Sequence, residues 1–194
     1  MMDIRVNGLL KSFDGKRVLD GFSAEFPDGG ITCIMGESGC GKTTLLNVLM
    51  GFIQPDGGDL SGVPARISAV FQEDRLCEDF SAVSNIRLVT GAERSRGDIE
   101  ALLRRLGLGE SMHRPVREFS GGMKRRVALA RALLYDSGLL ILDEAFKGLD
   151  DASKDIALEC VREYAAGRTV IAVTHDAEEA RALGGKLIKM EVAA

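Results

Sequence analysis

A run of nine residues near the start of the chain contains the phosphate-binding pattern GxxxxGK[ST]. The run comprises Gly36, Glu37, Ser38, Gly39, Cys40, Gly41, Lys42, Thr43 and Thr44. Its glycines allow the backbone to curl so that successive N–H groups converge on phosphate oxygens. Lys42 is then expected to reach the β- and γ-phosphates, and the Thr43 hydroxyl to join the coordination shell of Mg²⁺. An apolar run precedes this phosphate loop and a helical segment follows it, so the sequence predicts binding of a nucleoside triphosphate.

Cys40 lies inside the phosphate loop and allows two interpretations. Its thiol could block the nucleotide once oxidised or alkylated, or it could be a small packing residue, and we favour packing.

A second chemical signal is a pair of carboxylates at the end of an apolar run. Leu139–Leu142 is followed directly by Asp143 and Glu144. Ligands bind at the carboxyl ends of strands in open α/β sheets, so we expect both acids at that edge. Asp143 would hold Mg²⁺ there, and Glu144 would polarise the attacking water as general base. Alone, the motif also fits a strand that ends in a solvated acidic turn, but the phosphate loop favours nucleotide hydrolysis.

Three further features accompany these two motifs in a fixed order along the chain. Gln72 and His175 each follow an apolar run, and Phe119–Met123 precedes a basic segment, Lys124–Arg126. Together the five features resemble the nucleotide-binding subunits of ABC transporters, and the resemblance covers nearly the whole chain. Each short motif alone would be weak, but the combination and the order are specific. We expect Lys124–Arg126 to form a solvated helix face.

The resemblance implies a role for each matching residue. Gln72 corresponds to the glutamine that senses Mg²⁺ and the attacking water and that couples to the membrane subunit. His175 corresponds to the switch histidine, which hydrogen-bonds the γ-phosphate and holds the water in line. Phe13 corresponds to the aromatic residue that stacks on adenine, and a core or turn position explains it equally well. Without the resemblance, Gln72 would be interpreted as a solvated residue and His175 as a capping or surface residue.

The resemblance also implies a signature loop that contacts the γ-phosphate bound to the opposite subunit. This loop comprises Ser120, Gly121 and Gly122. A hydroxyl, two small glycines and a helix N-terminus together form an anion site. Ser120 also has the position of a helix N-cap, a structural role that holds in either case. Leu149–Asp150 resembles the D-loop, which meets its counterpart across a dimer.

Three positions depart from the family pattern. Met123 stands where glutamine is commonest, so a hydrogen bond there is lost. Ala145 replaces the usual proline after the glutamate, which frees the local backbone. Phe119 replaces leucine, a tolerable apolar change. None of the three changes removes a charged or metal-binding group. The sequence around Met123 and in Val70–Arg75 resembles the corresponding sequences of the import ATPases for nitrate, sulfonates, taurine and related small solutes.

The rest of the sequence predicts the elements that position these residues. Short apolar runs between Ile4 and Phe26 predict a small antiparallel sheet. Later apolar runs alternate with helical patterns, which predicts a mainly parallel α/β sheet. The expected fold class is therefore α/β, a P-loop NTPase core with a small antiparallel β subdomain and an inserted α-helical subdomain. A single domain would span residues 1–194, with the core at about 1–72 and 125–194 and the helical subdomain at about 73–124. Asp98 is the expected N-cap of one helix in that subdomain.

Composition limits the functional classes further. The 194 residues carry a net charge of −4, so no nucleic-acid partner is expected. The 4 cysteines show no regular spacing, which argues against a disulfide framework or a zinc site. The most apolar stretch, Val127–Leu142, is interrupted by Arg131 and Asp136 and is too short for a transmembrane helix.

The resemblance therefore implies an ATPase that uses ATP and Mg²⁺ and forms a head-to-tail homodimer. The expected partners are integral-membrane permease subunits and a solute-binding protein, which place the chain at the cytoplasmic face of the cell membrane. We expect import of a small solute. The alternative is a non-transport ABC protein that acts as an ATP-gated clamp on a protein or membrane complex. Against this alternative, the sequence contains neither a coiled-coil arm between the motifs nor a second ATPase cassette.

Overall fold

Strands and helices follow one another along residues 2–192, the part of the chain that the computed structural model describes. The strands are, in chain order, β1 (Ile4–Phe13), β2 (Lys16–Phe26), β3 (Ile31–Met35), β4 (Gly57–Ser61), β5 (Ile67–Val70), β6 (Leu139–Asp143), β7 (Thr169–Val173) and β8 (Lys186–Lys189). The α-helices are α1 (Lys42–Leu49), α2 (Ala82–Thr90), α3 (Arg96–Arg105), α4 (Gly121–Leu134), α5 (Asp151–Tyr164) and α6 (Ala177–Leu183). A short 3₁₀ turn covers Val116–Glu118.

The first sheet is antiparallel and has the strand order β2-β1-β4. Strands β1 and β2 form one hairpin, whose two-residue loop has φ of 48° at Asp14 and 79° at Gly15. Positive φ at both loop residues matches the right-handed twist of the flanking strands. Strand β4 pairs with β1 and was not predicted, because its Gly57 and Gly58 are typical of a turn.

The second sheet has five strands in the order β5-β6-β7-β3-β8. Strand β3 pairs in parallel with β7 and β8, and β6 pairs in parallel with β7. Every residue of β6 and β7 is buried, as expected for strands whose two faces are both covered. The predicted α/β fold class with a parallel core sheet and a small antiparallel sheet is confirmed.

Helices α2 to α5 pack on one another through apolar faces, with α4 in contact with each of the other three. The buried face of α3 contains Ile99, Leu102 and Leu103, spaced three and four residues apart.

The prediction of Asp98 as the N-cap of α3 is wrong. Ser95 caps the helix, and Asp98 is the third helical residue of a capping box, in which each side chain bonds the other's backbone N–H.

The described residues divide into two compact units. The first unit contains the described residues up to Ile67, Ser137–Asp143 and the described residues from Gly167 onward. The second contains Ser68–Asp136 and Glu144–Ala166. The boundaries expected for a core and a helical subdomain stay a prediction.

None of the described helices has both the length and the apolar character that a membrane span requires.

Candidate functional site

The phosphate loop joins β3 to α1 in the first unit. Gly41 is the N-cap of α1 in a left-handed conformation, with φ of 97° and no side-chain cap. The first turn of α1 contains no acidic residue, so its N–H groups and positive end are suited to an anion. A Cβ atom at Gly36 would lie 2.3 Å from the carbonyl oxygen of Met190, so only glycine fits there.

The Lys42 side chain folds back over the phosphate loop. Its ammonium donates to the carbonyl oxygens of Gly36 and Glu37, both at 2.7 Å, and lies 3.7 Å from the Cys40 sulfur. The residue is only 7% exposed, so the loop holds a nearly desolvated cation in its centre. Cys40 is fully buried, as the packing interpretation predicts.

Two oxygen ligands suited to Mg²⁺, one of them from the phosphate loop, lie close together. The Thr43 hydroxyl lies 3.5 Å from Oδ2 of Asp143, although the two residues are far apart in the sequence. Asp143 is 5% exposed and ends β6 at its carboxyl edge. A hydroxyl and a single carboxylate suit Mg²⁺, which usually completes its shell with water and substrate phosphates. The donor set therefore fits this ion.

His175 shares a cavity with the beginning of the phosphate loop. The cavity measures about 610 Å³, and its lining includes His175, Gly36 and Glu37. The neighbours of His175 on both sides are fixed. The buried Thr174 hydroxyl donates to Glu179, and Asp176 caps α6. The turn after β7 is thus anchored while the exposed imidazole faces the cavity.

Glu144 begins a tight turn in the second unit. Its φ of 50° is uncommon for a residue other than glycine. Its carboxylate is 13% exposed and lies 2.8 Å from the ammonium of Lys147. Positive φ at a non-glycine residue persists only where the surroundings hold it, and such strain clusters at functional sites. Lys147 was not among the predicted site residues, although its position three residues after Glu144 fits a turn contact.

Arg125 of α4 is buried and holds the segment that carries Gln72. The residue is 8% exposed and donates to the backbone carbonyl oxygens of Phe71 and Gln72. The prediction of a solvated face for Lys124–Arg126 is therefore wrong at this position. Arg125 precedes the buried Leu129 by four residues and so shares its inward face. This spacing could have revealed the buried position. Gln72 itself is exposed.

The signature loop opens α4 as predicted from the capping position of its serine. Ser120 accepts a hydrogen bond from the backbone N–H of Met123 at 3.3 Å. A Cβ atom at Gly121 would meet nothing within 4 Å, whereas one at Gly122 would lie 3.4 Å from the carbonyl oxygen of Gly148. The Cβ position of Gly121 therefore faces open space, and that of Gly122 lies in ordinary van der Waals contact with the residue before the D-loop.

The D-loop residue Asp150 caps α5. It accepts hydrogen bonds from the backbone N–H of Ser153 at 2.9 Å and from the Ser153 hydroxyl at 3.0 Å. These two bonds hold the pKa of Asp150 below its usual range, and the bond from the backbone N–H has the larger effect. The carboxylate therefore stays ionised at the start of the helix, where negative charge is favourable.

Phe13 lies at the exposed tip of the first hairpin. Its ring is 42% exposed, which excludes the core interpretation and leaves the turn and adenine-stacking interpretations. The ammonium of Lys11 lies 5.5 Å from the ring centroid. An exposed aromatic face beside a cation is suited to contact with a planar base.

Each unit thus gathers part of the predicted set. The first unit brings together the phosphate loop, Asp143 and His175, and it also contains Phe13. The second contains Gln72, Glu144 and the signature loop.

Comparison with known proteins decides the family. The sequence model of the ABC transporter family matches residues 19–147, which is more than half of the chain. The chain belongs to this family. As a family member it is an ATP-binding ATPase domain, homologous to importer ATPases.

Curated relatives in the ABC family support this assignment. The taurine import ATP-binding protein TauB of Yersinia pestis bv. Antiqua is 35% identical over 95% of this chain and 78% of its own length. The aliphatic sulfonates import ATP-binding protein SsuB 2 of Agrobacterium fabrum is 39% identical over 95% of this chain and 74% of its own length. The similarity to such import ATPases predicted from the sequence is confirmed.

Solved structures support the ABC ATPase fold. The dimeric structure of a bacterial ABC transporter cassette matches with a TM-score of 0.85 and 24% identity, over 97% of this chain and 94% of that one. An ATP-bound bacterial Atm1-family ABC exporter matches with a TM-score of 0.84 and 23% identity. The comparison covers 100% of this chain and 38% of the exporter chain.

Proposed function

We propose that this chain is the ATP-hydrolysing subunit of an ABC importer for a small solute. The observation that carries the proposal is the contact between Thr43 of the phosphate loop and Asp143, with Glu144 next in the chain. The similarity to taurine and aliphatic sulfonates import ATP-binding proteins favours a small organic sulfonate as the solute class.

The phosphate loop binds the triphosphate in this proposal. When ATP binds, the Lys42 ammonium leaves the carbonyl oxygens of Gly36 and Glu37 and donates to β- and γ-phosphate oxygens. Anionic phosphate oxygens attract an ammonium more strongly than neutral carbonyls do. The N–H groups at the start of α1 donate to the phosphates, and Phe13 stacks on the adenine.

Glu144 acts as the general base. Its carboxylate accepts a proton from the attacking water, while His175 and Gln72 orient that water and the γ-phosphate. The developing negative charge is stabilised by Lys42 and by backbone N–H groups that are already oriented towards it. Hydrolysis then requires little reorganisation of the protein at the moment of reaction.

Mg²⁺ would be held by Thr43 and Asp143, with Gln72 as the third candidate ligand. When bound, it would neutralise charge on the β- and γ-phosphates. The residues of the chain supply the remaining interactions with the triphosphate.

Two copies of the chain form the complete site. Each site takes its phosphate loop, Gln72, Glu144 and His175 from one copy and its signature loop from the other copy. A homodimer is therefore sufficient. ATP closes the dimer and hydrolysis opens it, which drives permease subunits at the cytoplasmic face of the membrane. A solute-binding protein delivers the solute on the opposite face.

Affinity capture tests the transport assignment. The Glu144→Gln variant, loaded with ATP, is used to capture partners from detergent-solubilised membranes of the source organism. Lys42→Ala with ATP and Glu144→Gln without nucleotide are the controls. The proposal predicts a multi-span permease in the ATP-loaded sample alone. Recovery of a water-soluble complex or a single-span protein instead would contradict transport.

A further inference from the structure

Two arginines of α4, Arg125 and Arg131, fasten the five-residue segment Phe71–Arg75 that follows β5. Nη atoms of Arg125 donate to the carbonyl oxygens of the first two residues of the segment. Nη atoms of Arg131 donate to those of the last two, at 2.9 Å and 2.6 Å. Most of the carbonyl groups of this segment are therefore bonded to one helix.

An ion pair adds to the Arg125 contact. Nε of Arg125 lies 3.2 Å from Oδ1 of Asp74, and the two side chains are 10% and 21% exposed. The guanidinium is planar and carries its donors in a fixed fork, so two carbonyls and a carboxylate define a single orientation for it. A lysine at this position would keep the charge but lose the fork.

The segment is also folded on itself. The guanidinium of Arg75 lies 3.9 Å from the ring centroid of Phe71, and Arg75 has φ of 47°. That backbone conformation is uncommon for a residue other than glycine and persists where neighbouring contacts hold it. The stacked ring and the Arg131 bond to the Arg75 carbonyl are such contacts. Phe71–Arg75 is therefore a preformed turn, and Gln72 lies within it.

We propose that Arg125 is a positioning residue for ATP hydrolysis. By holding the carbonyl of Gln72, it makes Gln72 move as one body with the helix that begins after Ser120. The proposal rests on the functions proposed above for Gln72 and Ser120. A displacement of the first turns of α4 is then transmitted directly to the backbone of Gln72. The exposed side chain of Gln72 therefore extends from a backbone position that is fixed relative to α4.

The first experiment compares two Arg125 variants in the full chain. Arg125→Met removes the fork and the charge, and kcat is expected to fall about tenfold while KM for ATP changes by less than about twofold. Arg125→Lys keeps the ion pair with Asp74, so the fall in kcat should be about threefold. If Arg125→Met fails to fold, the lysine variant carries the test. A wild-type kcat in the folded variants would overturn the proposal.

Arg94→Met is the matched control for general damage to α4. Arg94 donates its Nε to the carbonyl oxygen of Leu134, at 3.0 Å, and so anchors the other end of the same helix. The control should lower the melting temperature without the fall in kcat. Amide hydrogen exchange should accelerate at residues 72–76 in Arg125→Met and remain unchanged there in Arg94→Met. Equal exchange in both variants would overturn the proposal.

A double-mutant cycle with Gln72→Ala separates positioning from a merely structural role. If Arg125 acts through Gln72, Arg125→Met should cause almost no further fall in kcat once Gln72 is alanine. Multiplicative losses would overturn the proposal and leave the function proposed for Gln72 intact. A wild-type kcat in Gln72→Ala would contradict the function proposed for Gln72. It would then also contradict the proposal about Arg125, which depends on that function.

Discussion

The ammonium of Lys147 lies 2.8 Å from Oε2 of Glu144, the carboxylate proposed to activate water. The turn that Glu144 begins with positive φ brings the two residues together, and the Lys147 backbone N–H donates to the Glu144 carbonyl at 3.2 Å. A positive charge thus lies beside the carboxylate that would accept the proton. The lysine is 75% exposed, so solvent screens the pair.

Removal of this lysine is expected to raise basal activity. An exposed ion pair contributes about 0.2–1 kcal/mol, so Lys147→Ala should raise kcat by a factor of about 1.4 to 5 by releasing the Glu144 carboxylate. Lys147→Arg should retain the wild-type rate because it preserves the pair. Steady-state ATP hydrolysis at saturating ATP measures both. A lower kcat in Lys147→Ala would show that the lysine assists the base.

The composite site predicts complementation between two inactive variants. Lys42→Ala removes the phosphate-loop cation, and Gly121→Asp places a carboxylate in the signature loop, where a Cβ meets nothing within 4 Å. Each variant alone should be inactive. An equimolar mixture should recover up to about a quarter of wild-type activity, because half of the dimers contain one intact site. A mixture as inactive as its components would contradict sites shared between two copies.

Much of this arrangement follows from local sequence patterns. The Thr43 hydroxyl and Oδ2 of Asp143 are 3.5 Å apart, as expected for two residues that the sequence motifs assign to one Mg²⁺ shell. The contacts of Arg125 and Lys147 could not be predicted in the same way. They depend on side-chain orientation within a helix and a turn. The four-residue spacing from Arg125 to the buried Leu129 indicates an inward face but does not identify the groups that Arg125 contacts.

The elements that were missed have physical explanations. Strand β4 begins with two glycines, and only its pairing with β1 makes it a strand. The capping box at Ser95 and Asp98 contains two good capping residues, and the sequence pattern alone favoured the wrong one.

Thiol labelling tests the packing of the phosphate loop. Cys77 is exposed, whereas Cys33, Cys40 and Cys160 are buried. Burial also raises the pKa of Cys33 to about 11 and raises that of Cys160, so their thiolates are scarce at neutral pH. A maleimide should modify Cys77 alone in the folded protein, as measured by peptide mass spectrometry. Earlier modification of Cys40 would contradict its buried position.

Acid titration tests the contact between β1 and the segment before β4. Asp56 accepts from the Lys11 ammonium and from the Ser12 N–H, both at 2.7 Å, and these bonds hold its pKa below the usual range. The stabilisation is complete above the ordinary aspartate pKa of about 3.9 and is lost as pH falls through the lower folded value. Asp56→Asn should therefore lower the melting temperature at neutral pH, and the difference should disappear in acid. A constant difference across that range would contradict the linkage.

The role of Glu144 is tested most directly by sedimentation and ATP hydrolysis of Glu144→Gln. Glutamine keeps the shape of the side chain but cannot accept the proton from water. The variant should bind ATP with near wild-type affinity, lose at least about 100-fold in kcat and sediment as a dimer in the presence of ATP. Hydrolysis at the wild-type rate would contradict the assignment of Glu144 as the general base.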